Sequence, residues 1–214
     1  MNHDTEQGGM KSGDDLSHRR FTNPEELAKR FDAPERDEWQ KPDQVIKAFQ
    51  LAADSTVAEI GSGTGYFVVR LAKLLKGGKV IGLDDEAKMV EYLNNRAEKL
   101  GMANVEARPI SFRGEANLDE KVDLIFSVDT YHHIQERSAY FSHCLQYLKP
   151  NGKLVVIDRR VDSPAGPHVR PRIAPDVVKQ EMQNAGFSLV NDVDFLPYQY
   201  YLVFQAAISG PAPV

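Results

Sequence analysis

A glycine-rich turn and two nearby carboxylates have the residue types and spacing of a ligand-binding loop. Residues 59–65 (EIGSGTG) lie between an apolar run typical of a strand and an amphipathic helical pattern, and Asp84 closes the next apolar run. Glycines allow a tight turn and a close approach of the backbone to a ligand, and the free amides at a helix start favour a negative group. A carboxylate at the tip of the second strand can accept hydrogen bonds from two ribose hydroxyls. The sequence therefore predicts a site for a ligand that contains a ribose.

The spacing of the glycines argues against a dinucleotide. A nicotinamide or flavin fingerprint requires G-x-G-x-x-G, but position 66 is Tyr66 and the third glycine comes one residue early, at Gly65. Glu59 would suit a ligand that carries an ammonium and a sulfonium, whereas it would repel a pyrophosphate. A nicotinamide-dependent oxidoreductase with the same sheet is therefore a minor alternative.

Three histidines and one aspartate are candidates for proton transfer. Asp129, His132 and His133 follow the fourth apolar run, and His168 lies in the loop after the fifth. Because adjacent side chains cannot both point into one pocket, at most one of His132 and His133 could act as a base. Structural hydrogen bonding is the alternative for the histidines, and an ordinary turn is the alternative for Asp129. The histidine spacing matches no metal-ligand template, so we expect no metal site.

The elements that position these residues alternate between strand and helix. This alternation predicts an α/β, doubly wound, mostly parallel sheet with helices on both faces. The last two strands lack an intervening helix, so we expect an antiparallel pair at one edge. The predicted strands cover 57–60, 79–83, 105–108, 122–127, 153–158, 187–195 and 199–206, and the predicted helices cover 67–75, 87–100, a segment around Cys144 and 175–185.

Composition predicts one soluble domain with short appendages. The 214 residues carry 26 Lys plus Arg against 31 Asp plus Glu, a net charge of −5 with both signs interspersed, which disfavours nucleic acid and anionic membranes as partners. The single Cys144 excludes a disulfide framework and lies in an apolar helical pattern that indicates core. No apolar run reaches the ~18 residues of a membrane span, and the first twenty residues contain no apolar signal region. We therefore expect a cytoplasmic protein, unless a leader was removed.

The first fifty residues and the C-terminal end are predicted to differ from the rest of the chain. The polar composition of residues 1–20 predicts a disordered tail. After this tail we expect a helical cap at 21–50, the sheet domain at 51–208 and a second tail at 209–214. Asn23 followed by Pro24 is a helix start. Trp39, the only tryptophan, either packs on the core, which is favoured, or lies over a ligand.

The glycine motif with Asp84 resembles the class I S-adenosylmethionine-dependent methyltransferases. The likeness continues in VDLIFSVDTYHH at 122–133, which resembles the fourth-strand region of their small-molecule branch, and in LKPNGKL at 148–154. The resemblance covers roughly 39–205. It implies a Rossmann-like seven-stranded sheet with its last strand antiparallel, S-adenosylmethionine as cofactor and S-adenosylhomocysteine as product. It would make 51–208 a methyltransferase domain.

The resemblance also implies roles for individual residues. Its pattern assigns the ribose to Asp84 and the neighbourhood of the sulfonium to Asp129. It assigns the methionine part of the cofactor to Glu59, Gly61, Ser62 and Gly63. Many relatives bind adenine through an acidic residue after the third strand, but this chain has RPISF at 108–112, so backbone groups and Ser111 are left to bind adenine. In addition, Asp85 stands where relatives often place an apolar residue against adenine. The cofactor-binding candidates are Glu59, Gly61, Ser62, Gly63, Asp84, Asp85, Ser111 and Asp129.

The activity implied is in-line transfer of a methyl group to an unidentified small-molecule acceptor, by a monomer or a homodimer. Catalysis would depend mainly on holding the nucleophile against the methyl group in a water-poor pocket. Residues 159–172 carry four arginines against one acid and leave the carboxyl end of a strand, so they predict an acceptor pocket for an anion, with a solvated loop as the alternative. A non-catalytic S-adenosylmethionine-binding scaffold or sensor is the alternative function.

Overall fold

The computed structural model describes residues 23–114, 116, 118–164 and 172–207, so both predicted tails lie outside the described residues. Its centre is a seven-stranded sheet in the order β3-β2-β1-β4-β5-β7-β6. The strands are β1 Thr56–Ile60, β2 Lys79–Asp84, β3 Val105–Pro109, β4 Val122–Val128, β5 Leu148–Arg159, β6 Phe187–Val193 and β7 Gln199–Ala206. The helices are α1 Pro24–Phe31, α2 Glu35–Gln40, α3 Pro42–Phe49, α4 Tyr66–Leu74, α5 Ala87–Lys99, α6 Arg137–Cys144 and α7 Pro175–Asn184.

The predicted sheet is confirmed. The pairs β1–β2, β2–β3, β1–β4 and β4–β5 are parallel, and β7 runs antiparallel between β5 and β6. One core cluster joins the sheet to α6 and α7, and a second joins its other face to α3, α4 and α5. Because both faces are covered, the central strands are mostly buried along their length and mainly apolar, without a strict alternation. Cys144 lies fully buried in the first cluster, as predicted.

β5 begins earlier than the sequence indicates. The polar stretch before Lys153 suggests a turn, but Leu148 already pairs with Val122 of β4. The register then shifts, so that Leu124 pairs with Lys153. A bulge of this kind absorbs the extra residues, and Asn151 takes a positive φ of 66° within it.

Three short helices form the cap that precedes β1. The side chain of Asn23 accepts a hydrogen bond from the amide of Glu26 and starts α1, as predicted. Ion pairs and a side-chain hydrogen bond hold the cap against the carboxyl edge of the sheet and its flanking helices. They are Asp32–Arg96 at 2.7 Å, Asp37–Arg70 at 2.9 Å and Lys41 to the Phe195 carbonyl at 2.8 Å.

Among the described helices, none is both long and apolar enough to cross a membrane. The domain boundaries at 20/21, 50/51 and 208/209 stay predictions.

Candidate active site

The candidate residues meet where the strand order reverses. The chain moves outward from β1 to β2 and β3 and then returns to place β4 on the other side of β1. Ligands bind in the crevice outside the carboxyl ends of the strands at such a point. Glu59 lies near the end of β1, Asp84 ends β2, and Asp129 directly follows β4. The structure therefore brings together residues up to 70 positions apart in sequence.

Two glycines of the turn are required for different reasons. A Cβ on Gly61, where φ is +79°, would lie 2.6 Å from the Cβ of Thr130, so this glycine allows the turn to pack against the segment after β4. Gly63 also has a positive φ, of +51°, but the nearest atoms to its hypothetical Cβ are 3.8 Å away, on Phe31. A side chain at Gly63 would therefore make only ordinary contact with Phe31, so this glycine is required by the backbone conformation of the turn and not by a close neighbour.

Asp84 is tied to the glycine turn by backbone amides. Gly63 donates to its Oδ2 at 2.7 Å, and Glu86 donates to its Oδ1 at 3.0 Å. The amide of Ser62 donates to the Leu83 carbonyl at 3.0 Å, which holds the turn against β2. Burial raises the pKa of the Asp84 carboxyl to about 6, although both amide hydrogen bonds oppose the shift. Each oxygen keeps a lone pair for a further donor.

Glu59 is buried near the first turn of α4. The backbone amide of Val68, in that turn, lowers the pKa of the carboxyl. Its Oε2 is buried and has no hydrogen-bond partner within the described part of the chain. Burial raises the pKa of Glu59 well above its usual value, Arg36 opposes this shift, and Asp84 adds to it. A buried acceptor without a partner is costly, and a cationic ligand group would relieve that cost.

Arg36, in α2, is a site residue that the sequence did not reveal. Its guanidinium donates to the Phe31 carbonyl at 2.9 Å and to Gln40 at 3.3 Å, and it lies 3.9 Å from the ring centre of Tyr66. Its Nε is buried without a partner among the described residues. Burial lowers the pKa of Arg36, and the charge of Asp129 is the largest opposing effect. The Arg36 guanidinium lies at the candidate site only because the cap folds over the edge of the sheet.

Asp129 is held in an unusual backbone conformation by several contacts. Its φ is 51°, which a non-glycine residue adopts only when its surroundings impose it. Gln199 donates to its Oδ1 at 2.8 Å, and Arg159 lies 3.5 Å from its Oδ2. Gln40 of the cap in turn donates to Gln199 at 2.7 Å. Burial raises the pKa of Asp129, whereas Arg159 opposes the shift.

Trp39 lies at the sheet edge instead of in the core. Its ring is 4.7 Å from the guanidinium of Arg159 and 6.5 Å from the ring of Tyr198, and it belongs to neither core cluster. The expectation of core anchoring is therefore wrong. The physical reason is that α2 packs on the carboxyl edge of the sheet, where Trp39 contacts the ends of strands and loops instead of a sheet face.

His132 forms a buried pair that sequence alone did not predict. It lies in a 3-10 turn, Tyr131–His133, and its Nδ1 is 2.9 Å from Asp158 of β5. Its Nε2 is buried and has no partner among the residues that the structure describes. The His133 ring centre is 4.3 Å from that of His132. His168, the third candidate, lies outside the described residues.

The candidates for adenine recognition form the rim of the site. Asp85 and Ser111 are both exposed. The amide of Ile110 donates to the Asp84 carbonyl at 2.9 Å and so places the loop after β3 beside the end of β2. Asp85 accepts from the amide of Phe112 at 3.4 Å. Both residues are therefore near Asp84, and their roles stay predictions.

The described arginines of the basic loop interact with the protein itself. Arg160 pairs with Asp194, and Arg172 donates to the carbonyls of Arg160, Val161 and Ser163. Residues 165–171 lie outside the described part. Binding of an anionic acceptor by this loop stays a prediction. Within the described residues, no group of three or more His, Cys, Asp or Glu side chains could hold a metal ion.

Comparison with known proteins finds methyltransferases. A family model described as a methyltransferase domain matches residues 51–191. The chain is 31% identical over 112 residues to the putative methyltransferase 235L of Invertebrate iridescent virus 6, which covers 52% of this chain and 40% of that protein. It is 31% identical over 116 residues to a ribosomal RNA small subunit methyltransferase G of Clostridium botulinum, covering 52% and 48%. The chain thus spans less than half the length of these curated relatives.

Solved structures extend the likeness to most of the chain. A SAM dependent methyltransferase from Aquifex aeolicus superposes with a TM-score of 0.74 at 27% identity, covering 85% of this chain and 97% of that one. The magnesium protoporphyrin IX methyltransferase of Synechocystis PCC 6803, solved with bound SAM, gives a TM-score of 0.59 at 17% identity, covering 87% and 98%. The second likeness concerns the fold alone.

Proposed function

The chain belongs to the methyltransferase-domain family of class I S-adenosylmethionine-dependent methyltransferases, and we propose that it transfers a methyl group to a small-molecule acceptor. One observation supports a binding site for the methyl donor, S-adenosylmethionine. A buried guanidinium nitrogen on Arg36 and a buried carboxylate oxygen on Glu59, of opposite charge, both lack partners among the described residues. The amino-acid end of S-adenosylmethionine carries the complementary carboxylate and ammonium.

The other candidate residues fit the rest of the cofactor as well. Asp84 has a lone pair left on each oxygen for the two ribose hydroxyls, and the Gly63 amide orients one of these oxygens. Gly61 and Ser62 hold the turn in place. At the rim, Asp85 and Ser111 are the candidates for contact with adenine. These roles remain our proposal.

When bound, S-adenosylmethionine supplies an electrophilic methyl group on a positively charged sulfur. The residues of this chain then serve to orient the acceptor and to exclude water, which is where most of the rate enhancement arises. Asp129, just past β4, provides negative charge near that sulfur. His132, His133 and His168 are the candidate bases for an acceptor that must lose a proton.

A small molecule is the acceptor class that the chain's charge favours. The net charge of −5 provides no field to attract a polyanion, although a ribosomal RNA methyltransferase is among the relatives. A ubiquinone biosynthesis O-methyltransferase of Cereibacter sphaeroides, 28% identical over 97 residues that cover 45% of this chain and 38% of that protein, acts in small-molecule biosynthesis by its name.

Calorimetry tests the donor site. We expect S-adenosylmethionine and S-adenosylhomocysteine to bind the wild type, to bind Asp84→Ala much more weakly, and NADH not to bind. A radiolabelled methyl donor then reports transfer to small-molecule acceptors and to ribosomal RNA. Absence of binding by the wild type would overturn the donor site, and transfer to RNA alone would overturn the acceptor class. Binding without transfer to any acceptor would favour a scaffold or sensor.

A further inference from the structure

We propose that the cavity at the carboxyl ends of β5 and β6 binds the methyl acceptor, and that the acceptor places a protonated amino group in this cavity. The inference rests on the proposed function and narrows its acceptor class. It concerns recognition of the acceptor and leaves open which of its atoms receives the methyl group.

The cavity has a volume of about 780 Å³ and opens at the same edge of the sheet as the donor site. Its walls come from residues 160–162 after β5, from the start of α7, from the end of β6 and from the start of β7. These strands lie on the side of β4 that faces away from β1. Arg159, which lies 3.5 Å from Asp129, directly precedes the first of these walls. A small molecule fits a cavity of this size, and one held here can extend along the sheet edge towards Asp129.

Carboxylates outnumber cations among the described residues that line the cavity. Asp162, Asp192 and Asp194 line it together with a single guanidinium, that of Arg160. Arg160 pairs with Asp194, and Lys179 lies 2.9 Å from Asp192, so two of the carboxylates are already balanced. Asp162 is exposed and forms no ion pair with another described residue. The excess negative charge favours a cationic ligand group over an anionic one.

The other positive groups near the cavity are offset within the protein. α7 begins beside it at Pro175, and the partial positive charge of a helix start would favour an anion, but Asp176 lies in that first turn. Arg172 donates to the carbonyls of residues 160, 161 and 163. The described part of the basic loop therefore offers an anion no unpaired cation.

Tyr200 provides a second, independent indication of a ligand. It lines the same cavity and is 3% exposed, and its hydroxyl is buried with no hydrogen-bond partner among the described residues. Burial raises the pKa of Tyr200, and the charges of Asp158 and Asp129 add to the shift, so the hydroxyl keeps its proton at pH 7. Buried hydroxyls are normally satisfied. An ammonium group can donate to this oxygen while the carboxylates of the cavity balance its charge.

Three phenols that differ in the charge of one side chain test the preference of the cavity. Tyramine is a cation at pH 7, tyrosol is neutral and 4-hydroxyphenylacetate is an anion. Each would be titrated into the full chain with S-adenosylhomocysteine and followed by the carbon-13 tyrosine signals, with Tyr200→Phe assigning the signal of Tyr200. Tyramine should shift that signal and bind at least about 5-fold more tightly than tyrosol, and 4-hydroxyphenylacetate should bind most weakly. The preference for tyramine should shrink as the salt concentration rises from about 50 to about 500 mM.

Variants locate the preference in the cavity. Asp162→Asn and Asp194→Asn should each weaken tyramine binding by about 3-fold or more and leave tyrosol within about twofold. Asp54→Asn, exposed in the turn before β1 at the opposite edge of the sheet, changes the net charge equally and should match the wild type. Tyr200→Phe should weaken tyramine binding by about 3-fold or more, while its urea midpoint stays at or above that of the wild type, because the lost hydroxyl has no partner among the described residues.

A last measurement tests whether the cavity serves the acceptor. Bound tyramine should show interligand nuclear Overhauser effects between its ring protons and the methylene groups beside the sulfur of S-adenosylhomocysteine. Their absence would overturn the acceptor role. Equal affinity for the three phenols, tightest binding of 4-hydroxyphenylacetate, no saturable binding of tyramine, or a preference that survives in Asp162→Asn and Asp194→Asn would overturn the cavity as a site for an amino group. Failure of the wild type to bind S-adenosylhomocysteine would instead overturn the proposed function.

Discussion

The backbone amide of Gly63 donates a 2.7 Å hydrogen bond to Oδ2 of Asp84, and this bond joins the turn after β1 to the end of β2. The two residues are 21 positions apart, yet the carboxylate is aligned before any ligand arrives. Because the Glu86 amide occupies the other oxygen, neither oxygen needs to rotate to meet a ribose. The cost of this arrangement is a buried charge, which is why the pKa of Asp84 rises to about 6.

The first prediction concerns the pH dependence of donor binding. In the proposed site, the charged form of Asp84 would accept both ribose hydroxyls, whereas the protonated form offers one acceptor less. The affinity for S-adenosylhomocysteine should therefore be highest above pH 6 and fall as the pH drops through about 6. Calorimetric titrations between pH 5 and 8 would measure it.

Asp84→Asn is the control for this dependence. It cannot ionise, so its weaker affinity should lack the step near pH 6, and any change that remains belongs to other groups such as Glu59. An identical step in the variant would show that Asp84 is not the titrating group.

The second prediction distinguishes the contribution of Glu59 to ligand binding from its contribution to the stability of the folded protein. Its folded pKa is raised, so its contribution to stability is present at low pH and is lost as the pH rises through that pKa. Glu59→Gln removes the buried charge while keeping an acceptor for the Val68 amide. At pH 7.5 the urea midpoint should be unchanged or higher than that of the wild type, while affinity for S-adenosylmethionine falls by about 10-fold or more. A lower midpoint together with unchanged affinity would contradict the assignment.

The third prediction tests Arg36 with a truncated ligand. Arg36→Met should weaken S-adenosylhomocysteine binding by about 10-fold or more, because the variant cannot pair with the ligand carboxylate. 5′-Methylthioadenosine has the same nucleoside but no amino-acid end, so its affinity should stay within about twofold. Comparable losses for both ligands would mean that Arg36 acts only by supporting the cap through Phe31 and Gln40.

The fourth prediction compares two glycines with similar backbone but different surroundings. Gly61→Ala adds an overlap with Thr130 to the strain of a positive φ and should cost about 3 kcal/mol in the free energy of unfolding. Gly63→Ala adds only the strain and should cost about 1 kcal/mol, because its nearest neighbour is 3.8 Å away. Urea unfolding of both variants measures the difference. Equal costs would show that the contact with Thr130 is relieved by small movements.

The candidate site residues that could be predicted from the sequence are those whose position depends on local structure. Glu59 and Asp84 each lie at the end of a strand that hydrophobic patterning identifies, and parallel strands bring their carboxyl ends to one edge. The alternation of strands and helices predicted the sheet for the same reason. Hydrophobic patterning was sufficient to predict the position of a residue wherever its neighbours in sequence determine the direction of its side chain.

The missed residues depend on contacts between distant segments. Arg36 enters the site only because two short cap helices fold back over the sheet. Asp158 is an ordinary acid at a strand end until β5 pairs beside β4 and brings it to His132, 26 positions earlier. Gln199 is the first residue of β7 and is followed by two tyrosines, and no feature of its neighbours in sequence indicates a contact with Asp129. Tertiary packing, which a single sequence does not encode locally, determines all three.

The last prediction measures how firmly the cap is coupled to the transfer site. Side-chain hydrogen bonds run from Arg36 to Gln40, from Gln40 to Gln199 and from Gln199 to Asp129. Gln40 and Gln199 are fully buried, so removing either one leaves a buried partner unsatisfied. Gln40→Leu and Gln199→Leu should each cost about 1–3 kcal/mol in the free energy of unfolding.

The double variant should cost less than the sum of the single variants, because the Gln40–Gln199 bond can be lost only once. A coupling energy of about 1 kcal/mol is expected for two residues in direct contact. Gln199→Leu should also weaken donor binding more than Gln40→Leu, since only Gln199 touches Asp129, and calorimetry on the same variants would measure this. Additive costs and equal donor affinities would show that the cap and the tip of β4 move independently, so that closing the cap over a ligand would not position Asp129.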